Sequence, residues 1–382
     1  MFTNHKSLKV VVPQKLRFRP PYCANSQCRW HQPETCQREG VFIRYGIRKI
    51  SRYPYISVRF RCQRCRKTFS DSFFGFSYRD QLDANYKEIN FLKGGFSRRR
   101  ISRELGCSLD TVLRRCRKIA AQSLLVQAKM MAGLKIQESV AYDGVENFSF
   151  SQYDPNNINH VVGRESYFVY DFNFSPLNRK GRTSPRQKRR MKDLDQKFGR
   201  YDGKEIQKAT RRLLSRLLTR TEGELVFHSD NHFAYRRAIQ SLPERDRICH
   251  LITSSKLARN FRNRLFAINH LDILTRQNST TFKRETIAFS KHSIGMVEDF
   301  AMLMTDKNFM KPIFSKKHKQ DPSTNIESPA MRVGIAKKIL SFYELFSVRV
   351  TKAQVNLSED WKMFVERVDP TSRRKIRNYA GI

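Results

Sequence analysis

The chain has 382 residues, 74 Lys and Arg against 35 Asp and Glu, and a formal net charge of +39. Self-repulsion makes such an excess costly, which argues against a small-molecule enzyme and for a polyphosphate partner that neutralises it and releases counterions. About two or three domains fit this length. The sequence holds no apolar run of the roughly 18 residues needed to cross a membrane, and its start, Met1-Phe-Thr-Asn-His-Lys6, has no signal-peptide core.

Residues 1–76 are short strand candidates, turns and cysteines. Two knuckles, Cys23-Ala-Asn-Ser-Gln-Cys28 and Cys62-Gln-Arg-Cys65, are separated by 33 residues. Thiolates so spaced close a tetrahedral zinc site between two turns. Residues 41–45 and 55–60 alternate as strands, and aromatic and basic residues flank the second knuckle, which is the layout of a zinc ribbon. His31 and Cys36 are the alternative fourth ligands. Cys107, Cys116 and Cys249 are scattered and read as reduced thiols of a cytoplasmic protein.

Residues 77–132 turn helical. Tyr86, Ile89, Phe91 and Leu92 give a first helix one apolar face, and Gly94-Gly95 ends it. A second helix follows Ser97 and a third opens at Ser108, a good N-cap, after the tight turn at Gly106. Ile101, Leu105 and Val112 are placed to join the two as a helix-turn-helix. Arg98, Arg99, Arg100, Arg114, Arg115 and Lys118 are its candidate DNA contacts.

Residues 133–312 form an α/β region. Strands are expected at 139–143, extended by 147–150, then from His160, at 167–172, 225–230 and 248–253, with helices over 203–219 and from Phe233. An insertion at about 175–197 is densely basic and is expected to be a mobile loop over most of its length; its Arg189 and Arg190 are candidates to clamp a phosphate backbone. Residues 313–382 are expected to be a basic helical extension. Asp143 and Asp230 are each expected at a strand end, where two converging carboxylates repel unless Mg²⁺ or Mn²⁺ relieves them. Two such ions about 4 Å apart activate a nucleophile and stabilise a leaving oxygen at a phosphodiester.

The order of cysteine knuckles, 97–118 helix-turn-helix, Asp143, His228-Ser-Asp-Asn231 and the stretch 268–291 resembles the DDE transposases of bacterial insertion sequences that carry an N-terminal zinc ribbon. The resemblance covers most of residues 20–310. It implies an RNase H-like catalytic domain, a mixed five-stranded sheet flanked by helices. It also implies recognition of terminal inverted repeats in double-stranded DNA, metal-dependent phosphodiester hydrolysis, and transfer of the freed 3′-hydroxyl to target DNA. Pairing two ends implies a homo-oligomer, and the setting is the bacterial nucleoid. Such families carry a Glu on the closing helix, where this chain has Asn269 or Asp272. Asp272 is taken as the third acid and third Mg²⁺ ligand, with Glu285 second, and His228 and His232 flank the site. The alternative is a regulator derived from a transposase, binding DNA without cutting it.

Overall fold

The computed structural model describes residues 18–32, 35, 40–49, 56–74, 82–254, 256–283, 289–314, 326–347 and 349–371. The chain forms two compact units, one of residues 1–82 with 343–356, the other of residues 83–342 with 357–382.

In the smaller unit, β1 (Phe42–Lys49), β2 (Ile56–Cys62) and β3 (Thr68–Ser70) form an antiparallel sheet in that order. Val58 and Phe60 of β2 are buried, and Tyr22, Phe69, Phe73 and Phe74 make an edge-to-face aromatic cluster beside them. Such ring pairs add to simple area burial. The downstream segment closes over this cluster. The Arg349 N–H donates to the Phe74 carbonyl (2.8 Å), Tyr22 Oη donates to the Arg349 carbonyl, and Gln32 Nε2 donates to the Ala353 carbonyl (2.7 Å).

The larger unit opens with α1 (Leu82–Lys93), α2 (Arg98–Glu104) and α3 (Leu109–Met130). Ser97 and Ser108 cap α2 and α3 by accepting from the Arg100 and Thr111 N–H groups, and Gly106 takes the left-handed φ of 58° in the turn between them. Ile101 and Val112 are fully buried. The second half of α3, from Ile119 to Gln127, is almost wholly buried, because it packs on α8 (Ser293–Thr305).

Beyond α3 lies a mixed sheet of five strands: β4 (Val140–Phe148), β5 (Pro155–Gly163), β6 (Val169–Pro176), β7 (Leu225–Ser229) and β8 (Ile248–Ile252). The spatial order is β6-β5-β4-β7-β8, antiparallel through β4, β5 and β6 and parallel from β4 through β7 to β8. One face carries the main core: Ala141, Val145, Ile158, Val162 and Phe172 meet Leu124 of α3, Ile268 and Leu271 of α7 (Phe266–Asn278), and Phe300 of α8. The other face meets α5 (Glu205–Leu218) and α6 (Phe233–Gln240), where Tyr142 bonds Thr210 (2.6 Å) and packs edge-on against Tyr235.

Two sequence expectations change. The strand expected from His160 begins five residues earlier, at Pro155. Its Pro-Asn-Asn-Ile-Asn run reads as a turn, but the amides bond in a chain once paired: Asn157 donates to Asn159 (2.8 Å), Asn159 to Asn173 (2.9 Å), and Asn173 to the Ala209 carbonyl (2.8 Å). Gly144 makes room for this ladder, since a Cβ there would lie 2.0 Å from Asn157 Nδ2. The basic stretch expected to be mostly loop contains α4 (Pro185–Phe198). Ser184 and Gln187 form a reciprocal capping box with Pro185 in the first turn, a start signal legible in Ser-Pro-Arg-Gln.

The C-terminal region contributes α9 (Glu359–Glu366), whose Trp361 and Phe364 enter the main core. Arg216 of α5 ties it down, reaching Asp171 of β6 (2.6 Å) and Asp360 of α9 (2.6 Å), while Arg212 also reaches Asp360 (3.1 Å). Arg216→Met leaves two inward carboxylates without their shared cation. A loss of about 3–5 kcal/mol is expected, read as a fall of roughly 10 °C in the thermal midpoint followed by circular dichroism. Adding Asp171→Asn should recover part of it.

Candidate metal centres and nucleic-acid surface

The four knuckle cysteines come together. All their Sγ atoms lie within 4.8 Å of one another, with Cys23 and Cys65 3.6 Å apart and Cys28 and Cys62 3.9 Å apart. Tetrahedral thiolates about 2.3 Å from zinc stand roughly 3.8 Å from each other, so these separations are compatible with a structural zinc. The turn after Cys62 is tight: the Arg66 N–H donates to the Cys62 carbonyl (2.9 Å) and Arg66 takes φ 61°. Burial and crowded sulfurs push the Cys23 and Cys28 thiols up. At Cys65, burial is outweighed by the Lys67 N–H and the neighbouring sulfurs, and its pKa falls to about 7. His31 is not a ligand here, since Nδ1 contacts the Cys23 carbonyl and Nε2 contacts Thr351 Oγ1, both at 2.7 Å. Cys36 lies outside the described residues.

The three acids lie on one side of the larger sheet, by a route the sequence only half indicated. Asp143 is not at a strand end: it is the fourth residue of β4, which continues paired with β5 as far as Phe148. β7 runs parallel to β4 with His228 beside Ala141. Two residues further on, alternation sets Asp143 and Asp230 level on one face. That face is the one covered by α7, which carries Asp272. Asp230 lies just past the end of β7, where its Oδ1 accepts from the His232 N–H (3.0 Å). Burial raises the Asp143 pKa to about 7, helped by the charges of Asp272 and Asp230.

His160, unremarked in the sequence beyond its place on a strand, is the fourth member of this group. It sits directly opposite Asp143 in the β4–β5 register, with Nε2 2.9 Å from Asp272 Oδ1 and Nδ1 3.0 Å from the Ile158 carbonyl. Burial pulls its pKa down, but Asp272 outweighs burial and the net shift is upward. Asp272 thus lies beside His160, and among the described residues the only group with all ligand atoms within 4.8 Å is the four cysteines. Glu285, the second choice for third acid, lies outside the described residues.

The flanking histidines divide. His228 is buried and shares the face of Asp230; it stays neutral, with burial and then Arg164 pulling its pKa down to about 4. Its Nε2 faces Arg164 Nη1 at 3.4 Å, and Nδ1 has no hydrogen-bond partner. His232 caps α6, accepting from the Ala234 N–H at 3.3 Å.

The expected DNA contacts divide as well. Arg98 turns inward to Asp299 of α8 (2.5 Å), and Arg115 lies against the buried Glu88 (4.0 Å). Together with Lys93–Asp306 (2.8 Å), Arg98–Asp299 pins α1 and α2 onto α8 and the residue that follows it. These two arginines therefore hold the fold. Arg99, Arg100, Arg114 and Lys118 are exposed, as are Arg189 and Arg190 on α4, where Leu194 is the one buried side chain. On β1, Ile43, Tyr45 and Ile47 are exposed, with Arg59 and Arg61 over the Tyr45 ring at 5.7 and 5.8 Å.

The chain matches no protein-family model and no curated protein sequence. Among the described residues, no helix is long and apolar enough to cross a membrane.

Proposed function

We propose that this protein is a DNA transposase of the DDE class. What supports the reading is the placement of Asp143 on β4, Asp230 just past β7 and Asp272 on α7, with Asp143 near enough to both for their charges to raise its pKa. A mixed five-stranded sheet flanked by helices is also the architecture expected of an RNase H-like domain. Burial first, and then the charges of Asp272 and Asp230, raise the Asp143 pKa, and a hard dication would relieve both. Mg²⁺ or Mn²⁺ held by these three side chains would supply Lewis-acid stabilisation at a phosphodiester. His160 orients Asp272, and neutral His228, buried beside Asp230 with Nε2 facing Arg164, shapes the wall of the site. The helices over 82–130 and the cysteine-held sheet supply basic surface for the terminal repeats, and synapsis of two ends brings two copies together.

The test is nicking of supercoiled DNA and strand transfer with DNA carrying the element's ends. Activity with Mg²⁺ or Mn²⁺ and none with EDTA is the expected result. The pairing of Asp272 with His160 favours a second reading, a transposase-derived regulator, and tight end binding without nicking selects it.

Binding should be strongly salt-dependent under either reading. With about six phosphates neutralised, affinity falls roughly 10³-fold between 50 and 200 mM salt. Replacing Arg189 and Arg190 by Ala should reduce the log–log slope by about 2, measured by fluorescence anisotropy.

A further inference from the structure

We propose that residues 256–265, between β8 and α7, form a DNA-distorting surface on which Phe261 stacks against an unpaired base next to the acidic cluster. This rests on the transposase reading and deepens it. Phe261 is 74% exposed and Leu257 57% exposed, and neither is needed by the core. The sequence has no Asp or Glu between Asp246 and Asp272, while Lys256, Arg259, Arg262 and Arg264 fall inside the segment. The Arg262 guanidinium lies over the Phe261 ring at 5.6 Å. An apolar ring on a segment that carries four cations and no anion suits a base and its phosphates. A second copy of this chain, itself carrying +39, is repelled from such a surface.

Placement supplies the second argument. The strand before the segment is hydrogen-bonded to the strand of Asp230, the Thr253 N–H donating to the Ser229 carbonyl at 2.9 Å. The segment then leads directly into α7, the helix of Asp272. It is internally braced: Asn263 Nδ2 donates to the Ala258 carbonyl (2.9 Å), and Asn260 Oδ1 accepts from the Arg262 N–H (3.1 Å). Its far end is tied by Arg164 Nε donating to the Arg264 carbonyl (3.0 Å), and Arg164 also faces His228. Phe261 is thus displayed on a held loop strung between two of the three acids. Aromatic or apolar side chains inserted at a base step unstack it and open the backbone around the phosphate.

The experiment compares paired DNA with the same duplex carrying one mismatch, with 2-aminopurine beside it. Wild type is expected to bind the mismatched duplex about 10-fold more tightly, the scale of one base–aromatic stack, and to change the 2-aminopurine emission. Phe261→Ala should bind both duplexes alike and leave the emission unchanged, while Phe261→Trp restores both effects. Because the ring is exposed, the melting midpoint should not move, so a folding defect is distinguishable. Arg259→Ala with Arg262→Ala should weaken both duplexes equally. A mismatch preference that survives Phe261→Ala overturns the proposal, as does a change in oligomeric state in place of a change in preference. Failure of wild type to bind either duplex overturns the transposase reading as well.

Discussion

Cys62→Ser is expected to unfold the smaller unit and leave the larger one folded. Four sulfurs within 4.8 Å in one small unit would repel one another as thiolates, and a dication removes that cost. Zinc in such sites contributes about 10–16 kcal/mol of apparent binding free energy, and in small domains that energy is folding energy. The remaining core around Tyr22, Phe60, Phe69 and Phe74 is slight by comparison. Metal analysis of wild type should give one zinc per chain, and the variant should have lost nearly all of it. Hydrogen exchange should show β1, β2 and β3 unprotected in the variant and in chelator-treated wild type, with β4–β8 still protected. Cys249→Ser is the control that keeps the zinc. Full protection of β1–β3 in Cys62→Ser, or in zinc-free wild type, contradicts a structural metal.

Asp143→Asn should act on stability and on activity in opposite directions. The folded pKa of about 7 stands above the ordinary aspartate value of 3.8. A group shifted up in this way contributes stability that is complete below the unfolded pKa and is lost as pH rises through the folded one. In metal-free protein at pH 8, the ionised Asp143 is therefore a burden. The Asn variant should be about 1–4 kcal/mol more stable there, bounded by roughly 1.4 kcal/mol for each pK unit, with the difference fading towards pH 4. Mn²⁺ should raise the wild-type midpoint and leave the variant's unchanged. Losing several kcal/mol of transition-state stabilisation should lower nicking about 1,000-fold or more. Denaturation in EDTA at two pH values, with nicking assays beside it, reads all of this. A variant less stable than wild type at pH 8 contradicts the crowding of the three acids.

The features legible in the sequence were those whose chemistry is local. Cysteine spacing located the thiol cluster, Ser97, Ser108 and Gly106 fixed the ends of α2 and α3, and strand patterning placed β7 and β8. Two things were hidden because they depend on pairing across the fold. The start of β5 looks like a turn until Asn157 and Asn159 find Asn173 on β6. His160 reads as an ordinary strand residue until register sets it opposite Asp143 and α7 brings Asp272 to its Nε2. Burial also reversed two roles. Arg98 and Arg115 belong to a basic run, yet Asp299 and Glu88 on other helices draw them inward, which no periodicity within α2 or α3 reveals. α4 was recoverable from Ser184 and Gln187, but the density of cations masked its capping signal.

The most direct test of the central claim is anomalous diffraction from crystals soaked in Mn²⁺. Ions bound by carboxylate oxygens of Asp143, Asp230 and Asp272 are expected, with Asp272 released from His160 and zinc resolved separately at the four cysteines. Zinc at the cysteines, no Mn²⁺ at the carboxylates and Asp272 still paired with His160 would contradict a metal-dependent DNA-cutting site.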